Sequence, residues 1–154
     1  MPLPPLIDYP NESDYREHYK RIYCRGRIVT RDGIRIHFSP QRFEHAFYEG
    51  ARKDRFSVVR ARRIDWIKAT LEHPDAALYQ GWNKRDRCYE PDRRVSVVYE
   101  DFVVVVSLSF DRHESLRGQF VTCYQADNSI GKIRRSPLWS LEECLEVLRR
   151  KGGR

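Results

Sequence analysis

Ser57-Val-Val-Arg-Ala-Arg-Arg-Ile-Asp-Trp-Ile-Lys-Ala-Thr-Leu-Glu-His-Pro74 is the stretch on which the reading of this chain turns. Ser57 suits an N-cap and Pro74 forces a stop, so the segment reads as one helix. At 3.6 residues per turn Ile64, Ile67 and Leu71 form an apolar stripe, flanked by Val59, Trp66 and Thr70. Arg60 projects onto the centre of that stripe. It also stands in the first turn, where the helix dipole disfavours a cation. Either Arg60 is aimed into a functional site, where local rules tend to break, or it snorkels to water from the helix end.

Upstream, Pro2, Pro4, Pro5 and Pro10 predict an extended arm that is mobile unless docked. Asn11 caps a short helix to about Tyr23, with Tyr15, Tyr19, Ile22 and Tyr23 on one face. Tyrosines at this spacing read as core before they read as a base-stacking platform. Arg27 to Phe38 alternates around Arg31-Asp32-Gly33 and predicts a hairpin. Ser39-Pro40 opens a second helix ending at Gly50, with Phe43, Ala46 and Phe47 inward. His45 and Arg42 share its other face, so His45 is either a surface histidine or a side chain aimed into a cleft.

Downstream the period changes to two. Arg94–Tyr99 and Phe102–Phe110 form a hairpin around Glu100-Asp101, and Gln119–Ala126 is the last strand. Phe102, Val104, Val106, Leu108 and Phe110 are one core-facing row. The opposite row starts with Val103 and Val105 and ends with Ser107 and Ser109, which predicts a sheet face partly open to solvent. Ala76–Trp82 carries Leu78, Tyr79 and Trp82 and leads into a solvated loop at Lys84–Arg87. Ser140 opens a final helix as a capping box with Glu143, burying Leu141, Cys144, Leu145 and Leu148. Helices followed by consecutive strands predict an α+β domain. Its N-terminal helices pack on one face of a roughly four-stranded antiparallel sheet, with an additional C-terminal helix. Residues 1–24 read as arm and short helix, and 25–154 as a single domain.

The formal net charge of +7 favours a polyanionic partner. Between Gly50 and Lys68 stand Arg52, Lys53, Arg55, Arg60, Arg62, Arg63 and Lys68 against only Asp54 and Asp65. Arg62, Arg63 and Lys68 face outward on the helix and suit phosphate contacts, as do Lys84 and the run Lys132 to Arg135, with Arg134 and Arg135. Four scattered cysteines without Cys-x-x-Cys spacing, no secretory signal and no membrane-length apolar run predict a reducing cytoplasm, free thiols and no metal. P-loop, dinucleotide and His-Glu-x-x-His signatures are absent, which excludes those chemistries. Metal-free RNA cleavage asks for less: the ribose 2′-OH is the nucleophile, and the protein positions it, moves two protons and stabilises the phosphorane.

Phe43-Glu-His45-Ala, Phe56-Ser-Val-Val-Arg60-Ala-Arg-Arg-Ile-Asp-Trp-Ile, His73-Pro74, Phe120-Val-Thr122-Cys-Tyr124 and Lys132-Ile-Arg-Arg-Ser-Pro137 carry a resemblance. Over Ile36 to Pro137, about two thirds of the chain, it resembles the phage-associated barnase–EndoU–colicin–RelE-like nucleases. The resemblance implies helices on a four-stranded sheet and metal-independent, cofactor-free RNA cleavage. It implies His45 as acid or base, Arg60 and Lys132 on the phosphorane, and Thr122 and Tyr124 lining the cleft. Cys123 stands where the family has a small residue. The resemblance also implies a role as a toxin of mobile DNA or a processing enzyme, with an acidic inhibitor protein where it is a toxin. Without the resemblance, the same residues suit a non-catalytic nucleic-acid-binding or protein-interaction module.

Overall fold

The computed structural model describes residues 2–113 and 115–152, so Met1, Glu114, Gly153 and Arg154 lie outside it. Asn11 caps helix α1 (Glu12–Tyr19), its side chain accepting from the Asp14 amide at 3.0 Å. The helix widens into a π-helical turn, Lys20–Cys24, closed by the Arg25 amide on the Lys20 carbonyl at 2.9 Å. Tyr15, Tyr19 and Tyr23 are each 1% exposed, which makes the tyrosine stripe core.

A short hairpin follows, β1 (Ile28–Val29) and β2 (Arg35–His37), with Gly33 at φ +84° supplying the left-handed turn residue. Helix α2 (Arg42–Phe47) buries Phe43, Ala46 and Phe47 as its spacing predicts. It stops three residues before Gly50, because Tyr48–Glu49 (β3) folds back to pair with Arg55–Phe56 (β4).

The stretch Ser57 to Pro74 is two helices rather than one. Ser57 caps α3 (Val58–Ala61) by accepting from the Arg60 amide at 3.2 Å. Helix α4 (Ile64–Glu72) then restarts after a turn at Arg62-Arg63 and ends at His73, extended ahead of Pro74. The N-terminal arm makes the break. The Arg62 carbonyl accepts from the Ile7 amide at 2.9 Å, and Arg62 pairs with Asp8 at 2.7 Å. Trp66 Nε1 donates to the Pro4 carbonyl at 2.7 Å, while Leu3, Ile7 and Tyr9 pack on the core. The arm is docked, and it packs with the α1 tyrosines on the common core. Val58 and Val59 are exposed, so the apolar stripe belongs to α4 alone.

Strands β5 (Ala77–Asn83), β6 (Cys88–Tyr99), β7 (Phe102–Phe110) and β8 (Leu116–Gln125) form an antiparallel meander. The sheet is larger than the four strands expected. It has six, in the order β1-β2-β8-β7-β6-β5, and is mixed because β2 runs parallel to β8. Gly118 admits β2: a Cβ there would lie 2.6 Å from Ile36 Cδ1.

Helices α1, α2 and α4 lie on one face over Phe38, Val104, Val106 and Phe120. Helix α5 (Ile130–Arg134), not expected, lies on the other face and covers Val98, Val103 and Ala126 with Ile130 and Ile133. Helix α6 (Leu141–Lys151) returns to the core face, where Ser140 caps it and Cys144 is fully buried. Helices therefore occur on both sides of the sheet, which corrects the one-sided arrangement.

Tyr23 ties the N-terminal helix to α4. Its buried hydroxyl donates to the Ile64 carbonyl and accepts from the Lys68 amide, two groups one helical turn apart. Burial raises the phenol far above its ordinary pKa, so it stays protonated as the donor this bridge needs. Tyr23→Phe deletes both bonds and is expected to lower stability by about 1 kcal/mol, read as a reduced urea midpoint at unchanged slope. An unmoved midpoint would mean that the Ile64 carbonyl and Lys68 amide close on each other instead.

Candidate functional site

The site is built on an irregularity in β8. The register of β7 and β8 shifts between Val105 and Val106: Thr122 faces Val105, Phe120 faces Val106, and Val121 is left over as a bulge. Phe120 and Cys123, three apart, consequently both enter the core, while Thr122 and Tyr124 turn the other way. β2 pairs only with Arg117 to Gln119, so from Phe120 onward β8 is an edge and α2 lies along it. Thr122 Oγ1 donates to the His45 carbonyl at 3.0 Å. The Ser57 amide donates to the Phe47 carbonyl at 2.8 Å, which holds α3 against the end of α2.

Between these elements is a cavity of about 180 Å³ lined by Ala46, Arg60, Arg63, Cys123, Tyr124 and Asp127, among others. Arg60 is half-buried, and among the described residues its guanidinium makes no hydrogen bond or ion pair. A cation that lines a cavity and is in no ion pair is a candidate for meeting an external anion. Burial pushes the Cys123 thiol up to about 12, against the opposing pull of Arg60 and Lys53. Burial raises the Tyr124 phenol as well. Both groups are protonated at neutral pH, so Cys123 is no thiolate nucleophile here. What the cavity offers is a cation, a carboxylate and neutral donors.

The fold thus brings Arg60 and Tyr124 to one cavity, and His45 and Thr122 beside it. The agreement has limits. The His45 side chain is exposed and not part of the lining, although its neighbour Ala46 is. Tyr124 belongs to the apolar cluster under α5, which points its ring toward the outer face. Lys132 is not in this site. It sits on α5 and lines a different cavity with Trp82 and Tyr89.

Of the three outward cations expected on the basic helix, Arg62 and Lys68 are held in ion pairs, Arg62 with Asp8 and Lys68 with Glu72 at 2.9 Å. Arg63 donates to the Val59 carbonyl and lies 5.1 Å over the Trp66 ring. Arg134 donates to the Glu100 carbonyl at 2.6 Å, and Lys53 reaches the Tyr48 carbonyl at 3.5 Å. Arg52, Arg55, Lys84 and Arg135 are exposed. Asp127 is the residue that sequence reasoning missed, because Asp127-Asn128-Ser129 after a strand reads as an ordinary turn. Among the described residues no three His, Cys, Asp or Glu side chains are grouped to hold a metal.

Thiol reactivity checks this packing. All four cysteines are free; Cys88 is exposed, while Cys123 and Cys144 are buried with raised pKa values. A thiol reagent at neutral pH should label Cys88 rapidly and leave Cys123 and Cys144 until denaturant is added. Rapid labelling of Cys123 in the native protein would open the cavity wall described above. Comparison with protein-family models, curated proteins and solved structures returns no match to this chain.

Proposed function

We propose that this chain is a metal-independent ribonuclease acting at the cavity between α2, α3 and the end of β8. The observation that carries the reading is Arg60, a half-buried guanidinium without a protein counter-ion, sharing a cavity with Asp127 and adjoining His45. In this reading Arg60 binds the scissile phosphate and stabilises the charge that grows on it in the phosphorane. Asp127 accepts the proton of the attacking 2′-OH, and the O2′–P bond forms as the P–O5′ bond breaks. His45 gives a proton to the departing 5′-oxygen. The products are a 2′,3′-cyclic phosphate and a 5′-hydroxyl, and no water or cofactor is consumed in the step. Thr122 contributes by fixing the backbone of α2 at His45.

The setting belongs to the proposal too. A cytoplasmic protein with RNA as substrate fits the free thiols and the net charge of +7. Among the described residues no helix is long and apolar enough to cross a membrane. If the enzyme is a toxin of mobile DNA, an acidic inhibitor would cover Arg60 and the neighbouring exposed Val58 and Val59. A nucleic-acid-binding module without chemistry is the second reading, favoured by the distance in the fold between Lys132 and Arg60.

Purified protein incubated with cellular RNA in EDTA should release fragments ending in cyclic phosphate. Arg60→Ala should lower the rate by about 10²–10³-fold. His45→Ala and Asp127→Asn should each lower it by about 10²–10⁴-fold. Cleavage that survives Arg60→Ala removes this cavity as the site. Intact RNA under conditions of clear binding selects the binding module.

A further inference from the structure

The outer face of the sheet carries a second set of cations outside the ion pairs, and it carries them beside aromatic rings. Cross-strand register lays the face out in rows. Ala77, Val98, Val103 and Tyr124 form the first, and α5 covers it. Tyr79, Ser96, Val105 and Thr122 form the next. Arg94, Ser107, Gln119 and His37 follow, then Ser109, Arg117 and Arg35. The face therefore passes from apolar and covered to polar and basic. This is the solvent-open half that Ser107 and Ser109 predict.

At the β5–β6 edge of this face stands Trp82, 50% exposed. Trp66 and Trp139 each bond a backbone carbonyl through Nε1, whereas the Trp82 indole makes no hydrogen bond among the described residues. Tyr89 holds it by an edge-to-face contact, with centroids 4.9 Å apart. Two cavities meet at Trp82. One, of about 330 Å³, runs between the β5–β6 hairpin and α5 and includes Tyr79, Tyr89 and Lys132. The other, of about 570 Å³, includes Lys84, Arg93 and Arg94, together with Glu90. Glu90 is spoken for: it accepts from Asn83 at 3.0 Å and lies 3.8 Å from Arg93.

The remaining cations are in no ion pair, although the charge of Arg117 is felt by the Asp111 carboxylate. None of the ion pairs among the described residues involves Arg35, Arg94, Arg117 or Lys132. Arg117 Nε is buried without a hydrogen-bond partner, a donor left open beneath the face. Gly81 lets Arg94 lie close across β5, since a Cβ at 81 would come within 2.6 Å of Arg94 Cβ. Arg94 on β6 and Arg117 on β8 are two strand spacings apart across the sheet and two residues apart along it, about 12 Å in all. That separation suits several phosphates of one chain better than one small anion.

We infer that the outer sheet face binds a single-stranded polynucleotide, with a base stacked on Trp82 and phosphates on Lys132, Arg94 and Arg117. An exposed aromatic platform flanked by open cations is the arrangement that unpaired nucleotides reward, because every base offers a π-face and each phosphate one charge. A duplex hides its base faces. An acidic peptide would use the arginines and leave Trp82 without a role.

The test uses the full chain and a fluorescent oligo(dT) of about twelve nucleotides, within the range one such surface spans. Lacking a 2′-OH, it is immune to the cleavage proposed above, so the two ideas fail separately. Expected are binding by anisotropy, quenching of tryptophan fluorescence and weaker binding to the matching duplex. Trp82→Ala should lose on the order of tenfold in affinity and Trp82→Phe much less. Arg117→Ala should flatten the dependence of log affinity on log salt by about 0.7. Arg150→Ala, on α6 and paired with Glu146, should bind as wild type. The inference is overturned if Trp82→Ala binds unchanged, if the duplex binds as tightly, or if poly-glutamate competes as well as a second single strand. Circular dichroism of each variant separates loss of binding from loss of fold. Oligo(dT) binding with RNA left intact would sink the ribonuclease alone.

Discussion

The bulge at Val121 is the constraint from which most of this structure follows. Without it, strict alternation would place Phe120 and Cys123 on opposite faces of β8. With it, Phe120 stacks on Phe38, centroids 4.8 Å apart, while Cys123 packs with Val104 in the same core. The bulge also ends the regular part of β8 near the point where β2 stops pairing, and the exposed edge is taken by α2. An edge strand needs cover. Here the cover is the helix that carries His45, so the device that protects the sheet also places a titratable side chain beside the Arg60 cavity.

A second constraint is the arm. Its backbone takes the Arg62 carbonyl, and its Asp8 takes the Arg62 guanidinium. The expected single helix is cut there, and the cut has a chemical effect. α3 becomes a single capped turn that tips Val58 and Val59 to solvent and leaves Arg60 at a cavity. Had the helix run straight from Ser57 to Glu72, Arg60 would have faced the apolar stripe it breaks. The polarity mismatch at Arg60 is thus resolved by backbone geometry, since the residue belongs to a different helix from Ile64, Ile67 and Leu71.

These two features mark the boundary of what the sequence discloses. Caps at Asn11, Ser57 and Ser140, the turn at Gly33 and the buried tyrosine stripe were all legible, because each is decided within a few residues. The break at Arg62-Arg63 was not, being set by residues more than fifty positions away. Val121 sits in a run of good strand formers that gives no sign of a bulge. The parallel pairing of β2 with β8 depends on Gly118 leaving space for Ile36, a contact between distant segments. Within the site, Arg60 was visible as a misplaced charge. Asp127 was hidden in a turn, and Lys132 looked near in sequence while α5 carried it to the other face.

Charge pairing gives the positive face of the molecule its meaning. Counting lysines and arginines along the chain points to the segment from Arg52 to Lys68, yet there Arg62 and Lys68 are in ion pairs and Arg63 lies over the Trp66 ring. Among the cations outside the ion pairs, two groups stand at cavities on opposite sides of the sheet: Arg60 on the helix side, and Arg94 and Lys132 outside, with Arg117 on the same outer face. A guanidinium already matched to a carboxylate must lose that partner before it can take a phosphate, while an open one gains in full. The two open sets differ in company as well, with a carboxylate and a nearby histidine at the first and aromatic rings at the second. On the two proposals made above, the first company would move protons and the second hold bases, so that a polynucleotide long enough to reach both would be gripped on one side of the sheet and altered on the other.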